Sequence, residues 1–198
     1  MKIKKTLAMI LAVSLSAGVI TSCKKEEGCT DPTASNYNAD AEEDDGSCTF
    51  DDETKSGVLS SNETWTADRV YFLQGRVVVP SGVTLTIEAG TIIKGKQGQE
   101  TNAAALIVAR GGKIMAEGTS DNPIIFTSEL DDIDVGQKVG SNLTRSDNEK
   151  WGGVAILGAA KTSAENGDTE GRLEGIPPSE DYGKYGGSDD ADDSGVFK

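Results

Sequence analysis

Histidine is absent from the 198-residue sequence. That removes His-based catalytic triads, His-ligated zinc and imidazole general bases from consideration. Basic residues are outnumbered: 19 Lys and Arg stand against 33 Asp and Glu, a formal net charge of −14. Such a balance disfavours nucleic acid and anionic membrane as direct ligands and favours cations and solubility. Aromatic residues make up only 5% of the chain, whereas glycine occurs 24 times. Few aromatics, many glycines and short Val/Ile-rich runs suggest short strands separated by many turns. Long apolar runs are missing too. The stretch TLAMILAVSLSAGVI at residues 6–20 is too short for a membrane-spanning helix and ends in small residues.

That stretch follows the basic segment MKIKK and precedes Thr21-Ser22-Cys23. The order is that of a secretory signal. The run ITSC also resembles the lipobox of bacterial lipoproteins, which implies cleavage before Cys23 and acylation of its thiol, with residues 1–22 as the signal peptide. The lipid bilayer is then a partner through acylated Cys23, because acyl chains contribute roughly 0.8 kcal/mol per buried CH₂. An ordinary signal peptide with a chance cysteine is the plainer alternative. Residues 23–27 form the anchor and an acidic linker. Within them, Lys24-Lys25-Glu26-Glu27 resembles the signal that sends lipoproteins of Bacteroidota-type bacteria to the cell surface. The implied location is a surface-exposed lipid anchor in the outer membrane.

The chain has three cysteines. If Cys23 carries lipid, Cys29 and Cys48 remain as a pair, and an exported chain meets an oxidising compartment, so a Cys29–Cys48 disulfide is expected. Closing a loop of that size contributes roughly 3 kcal/mol in the chain-entropy description. The bracketed segment, residues 28–50, is dense in Asp, Asn and Glu. It resembles a cysteine-bracketed module of exported Bacteroidota proteins, and its spacing is similar to calcium-binding thrombospondin type 3 repeats. The resemblance implies calcium as a cofactor, with Asp31, Asn36, Asn38, Asp40, Glu42, Asp44 and Asp45 as candidate oxygen ligands. It is not an EF-hand: with Gly46 at the turn position, Ala41 falls where the first carboxylate belongs. The alternative is a solvated acidic spacer, stapled because it has no core of its own.

After a linker at 51–57 the sequence changes character. SGVTLTIEAGTIIKG (81–95) aligns with AAALIVARGGKIMAEG (103–118) at a shift of 22, matching Leu85, Ile87, Gly90 and Ile92 to Ile107, Ala109, Gly112 and Ile114. A repeat of roughly that length, with β-rich runs and glycine turns, is the signature of a solenoid. The runs at 70–79, 122–129 and 151–160 continue it. The expected core residues are Val83, Leu85, Ile87, Ile92, Leu106, Val108, Ile114, Ile124, Phe126, Val154 and Ile156. Two strands of a β-sandwich matched by accident is the alternative.

GVTLTIEAGTIIKG, LIVARGGKIMAEGTSDNPIIFTS and WGGVAILGAA are similar to the right-handed parallel β-helix of secreted and lipid-anchored Bacteroidota proteins, a pectate-lyase-like architecture. The resemblance covers residues 58–198 and implies an all-β fold. DDSGVFK ends two residues into an apparent new strand, so the β-helix is expected to be truncated at its C-terminal end. The superfamily includes polysaccharide lyases and hydrolases as well as proteins without known activity. No spacing in this chain selects a catalytic set, although Lys94, Arg110 and Lys113 lie in or beside strands. Acidic loops at 129–136 and at Asp189, Asp190, Asp192 and Asp193 are candidate calcium loops or solvated turns. Tyr182 and Tyr185, in a long polar loop, are candidate stacking platforms for sugar rings. Two functions follow as expectations. One is a non-enzymatic surface, adhesion or structural role, contacting glycans or other cell-surface proteins. The other is a carbohydrate-active enzyme whose site lies in further coils.

Overall fold

The computed structural model describes residues 25–163 and 167–198. The signal segment and Cys23 lie outside the described residues. The stapled module comes first. Two short strands, β1 (Glu27–Gly28) and β2 (Glu43–Asp44), pair in parallel. The Cys29–Cys48 disulfide is present. The module buries little beyond Cys29 and Ala34, so covalent closure and turn hydrogen bonds hold its shape rather than apolar packing.

From residue 53 the chain winds repeatedly through parallel sheets. The first pass is β3 (Glu53–Val58) and β4 (Glu63–Trp65). The second is β5 (Val70–Val79) and β6 (Thr84–Ile87). The third is β7 (Ile92–Gly95), β8 (Ala105–Val108) and β9 (Lys113–Ala116). The fourth is β10 (Ile125–Ser128), β11 (Gly153–Ile156) and β14 (Gly195–Phe197). An antiparallel pair, β12 (Glu170–Arg172) and β13 (Lys184–Gly186), sits on the excursion between β11 and β14.

The ten residues of β5 explain the topology. Val70–Leu73 pairs with β7, and Arg76–Val79 pairs with β8. Between the halves lies Gly75 at φ +62°, a backbone region that a β-carbon makes costly. The strand turns a corner there. One six-stranded sheet thus becomes two rows, and β4, β6, β9 and β14 form a separate four-stranded sheet.

Alternation along each strand sends every second side chain inward, and the parallel register stacks those side chains in columns. Tyr71 meets Ile93 and then Phe126; Val77 meets Leu106 and then Val154; Trp65 meets Ile87, Ala116 and Phe197. Trp65, Leu73, Val77, Leu85, Ile93, Leu106 and Ile114 are completely buried. Each such aliphatic side chain contributes about 1.5–3 kcal/mol relative to exposure.

One column breaks the rule and shows why the sequence reads Trp151-Gly152-Gly153. Gly95 occupies the inward position between Leu73 and Ser128. A β-carbon there would lie 2.7 Å from Trp151. The indole therefore fills the space a side chain would have taken, and Trp151 packs on the core from outside the strand pattern. Gly152 faces the Ala104 carbonyl with no room for a β-carbon, and Gly153 takes φ +83°.

The first pass closes the amino-terminal end of the core with charge. Glu53, Lys55 and Glu63 stack on Tyr71, Leu73 and Leu85. The Lys55 ammonium bridges Glu53 at 2.7 Å and Glu63 at 2.8 Å, with its side chain only 17% exposed. The Trp65 indole N–H also donates to Glu63 at 3.0 Å. Burial alone would raise the Glu63 pKa, but the bonds from Lys55 and Trp65 outweigh it and hold the carboxyl below its ordinary value.

Three sequence expectations change. The register does not follow the 22-residue alignment of 81–95 with 103–118: Leu85 stacks on Ile114, and Ile107 on Val78. The 22-residue spacing holds one pass earlier, where Glu63 meets Leu85 and Val70 meets Ile92. Residues 96–104 lengthen the third pass, and every row carries the same apolar alternation, so the alignment matched strands from different rows. Ile92 is buried but faces outward, under Ile133 with Val70, rather than into the central core. Ile156 stacks on Val108 as an inward residue yet is 39% exposed, because β11 is an edge strand and no strand among the described residues pairs on its other side. The other expected core residues hold, with Val83, Ile124, Phe126 and Val154 partly buried at its margin.

Candidate functional site

The β5 corner recurs on all four passes, and there the outer surface is polar. Ser56 lies within β3, Gln74 and Gly75 at the bend of β5, Lys96 and Gln97 directly after β7, and Glu129 directly after β10. Backbone hydrogen bonds carry the stacking through the corner: Lys96 N–H donates to the Leu73 carbonyl and Glu129 N–H to the Gly95 carbonyl, each at 2.9 Å. These residues, with Asn102, line an open cleft of about 560 Å³. A second cleft, of about 330 Å³, shares Gln97 and adds Gln99, Glu149 and Lys150. Together they form a polar groove along the stacking direction, walled by residues 96–104 and 129–152.

The groove is partly organised from within. The Lys96 ammonium lies 5.7 Å from the centroid of the Phe72 ring, an arrangement in which the ring face attracts the cation. Glu129 accepts a hydrogen bond from the Gln97 backbone amide. The amides of Gln74 and Gln99 are exposed. Glu100 and Glu149 adopt positive φ at 52° and 57°, a conformation that costs a non-glycine residue about 1–2 kcal/mol.

Beside the groove, the 129–142 loop folds over the outer face of the first row. Ile133 seals Val70 and Ile92. Beneath it Lys94 is 8% exposed and donates to the Asp131 carbonyl at 2.9 Å. Asp131 also accepts from Thr127 at 2.7 Å and from the Ile133 amide at 3.1 Å. Asp132 is held below its ordinary pKa chiefly by the Ser141 hydroxyl and amide. This acidic loop spends its carboxylates on its own folding.

The remaining candidates are similarly engaged. Arg110 donates to Glu170 at 2.6 Å and to the Gly186 carbonyl at 2.8 Å, and Lys113 pairs with Asp193 at 2.9 Å. Asp190 pairs with Lys161 at 2.8 Å, Asp189 caps Ala191, and Asp192 accepts from Ser194. Tyr182 packs against the outer apolar cluster of Val78, Ile107 and Ile176. Tyr185 lies across Gly171, where a β-carbon would collide with its ring. Behind these tyrosines, residues 173–176 roof a cleft of about 310 Å³ floored by Ala105, Ile107 and Ala155, with Arg76 tied to the Gly175 carbonyl at 2.7 Å.

In the stapled module, Asp31 accepts from Thr33, Asn36 from Thr49, Asn38 from Asp40, Asp44 from Gly46 and Asp45 from Ser47, at 2.8–3.1 Å. Asp40 and Glu42 are exposed. Among the described residues, no three of Cys, Asp and Glu converge closely enough to hold a metal ion.

Stacked parallel strands, corner loops of unequal length and the Trp-Gly-Gly plug are on one continuous segment, and it is this segment that comparison recognises. The family profile described as pectate-lyase-like beta helix domain matches residues 57–198. The chain belongs to the pectate-lyase-like β-helix family. No curated protein and no solved structure matches it. The β-helix corner groove was not visible in the sequence, because Ser56, Gln74, Gln97 and Glu129 share no motif and meet only through the register. Polar residues immediately after each first-row strand were the available signal.

Proposed function

We propose that this chain is a lipid-anchored surface protein whose right-handed β-helix solenoid binds a glycan without cleaving it. The observation that carries the reading is the polar groove at the β5 corner: an open cleft lined on consecutive passes by the Ser56 hydroxyl, the amides of Gln74, Gln97 and Asn102, and the Lys96–Glu129 charges. The passes are spaced by about 4.8 Å, close to the length of one pyranose unit, so successive sugars of a polymer meet a polar residue on each pass. Right-handed winding is the rule for parallel β crossovers. The lipobox-like ITSC segment and Lys24-Lys25-Glu26-Glu27 support anchoring at Cys23 and display at the outer surface. The stapled module then acts as a spacer between anchor and β-helix.

The non-enzymatic part rests on the basic residues that are firmly held: Lys94, nearly buried and bonded to the Asp131 carbonyl, and Arg110, bonded to Glu170 and the Gly186 carbonyl. The test is a polysaccharide panel run twice, once for retention of the protein and once for release of reducing or unsaturated ends. Retention without product supports binding. Product formation that is lost in Glu129→Gln would establish the enzyme instead. Labelling with radioactive palmitate, abolished by Cys23→Ala, tests the anchor.

A further inference from the structure

We propose that the corner groove takes a neutral glycan and excludes polyuronates, the acidic polymers after which the fold family is named. The inference rests on the glycan-binding reading above and specifies its substrate class. Charge within the groove is balanced: Lys96 and Lys150 stand against Glu129 and Glu149. Both cations have partners already: Lys96 leans on Phe72, and Lys150 lies within electrostatic reach of the Asp147 carboxylate. The uncharged residues are Ser56, Gln74, Gln97, Gln99 and Asn102. Each side chain of this set both donates and accepts hydrogen bonds, as sugar hydroxyls do. A polyuronate brings one carboxylate per residue, which would face Glu129 and Glu149 on a molecule of net charge −14. At physiological salt the screening length is about 8 Å, so both carboxylates would act on a chain lying in the groove.

Native affinity electrophoresis of the full chain decides the matter, with gels containing a neutral mannan, a neutral β-glucan or polygalacturonate. Retardation by a neutral polymer is expected, unchanged between low and high salt. The exposed pair Gln74→Ala/Gln97→Ala should weaken it about tenfold, two lost hydrogen bonds, with an unaltered thermal midpoint as the folding control. Retardation by polygalacturonate alone, fading as salt rises, would overturn the neutral class while leaving glycan binding in this groove intact. Retardation by a neutral polymer that is indifferent to Gln74→Ala/Gln97→Ala would move the site elsewhere and overturn the inference. Passage through all three gels unretarded would overturn this inference and the glycan-binding reading together.

Discussion

Lys55 is the residue on which the amino-terminal end of the core depends. Its stem covers apolar columns and its ammonium answers Glu53 and Glu63. A charged lid of this kind keeps the first strand from presenting an apolar surface to another chain. Replacing Lys55 with Met strands two carboxylates and should cost about 1–3 kcal/mol, read as a lowered urea midpoint at neutral pH. The pH dependence has a definite sign. Glu63 titrates below its ordinary value near 4.5 in the folded protein, so its stabilisation is present above that value and is lost as pH falls through the lower, folded one. Lys55 is raised above 10.5 by its carboxylate bonds, which outweigh its burial. Its share is therefore present below 10.5 and is lost as pH rises past the folded value. Urea midpoints across the acid range should fall less steeply for Glu63→Gln than for the native chain. Parallel acid limbs would remove Glu63 from this role.

Two elements carry predictions of their own. The stapled module has almost no buried apolar surface, so reduction of Cys29–Cys48 should melt residues 25–50 alone. Limited proteolysis after reduction is expected to cut within the module and leave residues 57–198 protected; simultaneous loss of both would mean that the β-helix depends on the module. The side-chain oxygens of Asp31, Asn36, Asn38, Asp44 and Asp45 already hold the turns of this module without a cation. The expectation is therefore no change in the module's protease resistance on adding millimolar Ca²⁺, whereas protection abolished by Asp44→Asn would place the cation there. The second element is the Trp151 plug. Gly95→Leu forces the indole out of the Leu73 column and should destabilise by about 1–3 kcal/mol, with a red-shifted tryptophan emission. Unshifted emission would show that the indole does not occupy that space.

For the whole molecule, charge is the dominant surface property. A net charge of −14 is dispersed over exposed loops, and most of its ion pairs are solvent-facing. Such pairs are worth little individually, while the like-charge excess opposes compaction. Added sodium chloride should therefore raise the thermal midpoint steadily rather than lower it. A falling midpoint would give the surface bridges the larger share. Much of this architecture was legible in advance. Val/Ile alternation and glycine turns announced stacked parallel strands, and the pairing of the two cysteines that bracket the acidic segment announced the disulfide. Ile92 was read as inward because alternation reports that a residue is buried, not which face of the sheet buries it. Ile133 decides that, from a loop 41 positions away in the chain. The groove was illegible for a related reason: its members are ordinary polar residues made neighbours by pairing.

Composition and pattern by themselves determined the all-β class, the staple and the absence of histidine chemistry, because each depends on residue type or on local periodicity. Only the tertiary structure decided which strand stacks on which. Inward alternation is the same in every row, so the energy that fixes register comes from corner geometry: the bend at Gly75, the insertions at 96–104 and 129–152, and the indole that needs Gly95 beneath it. Those corners also decide where Ser56, Gln74, Gln97 and Glu129 come together, and therefore where a glycan would lie.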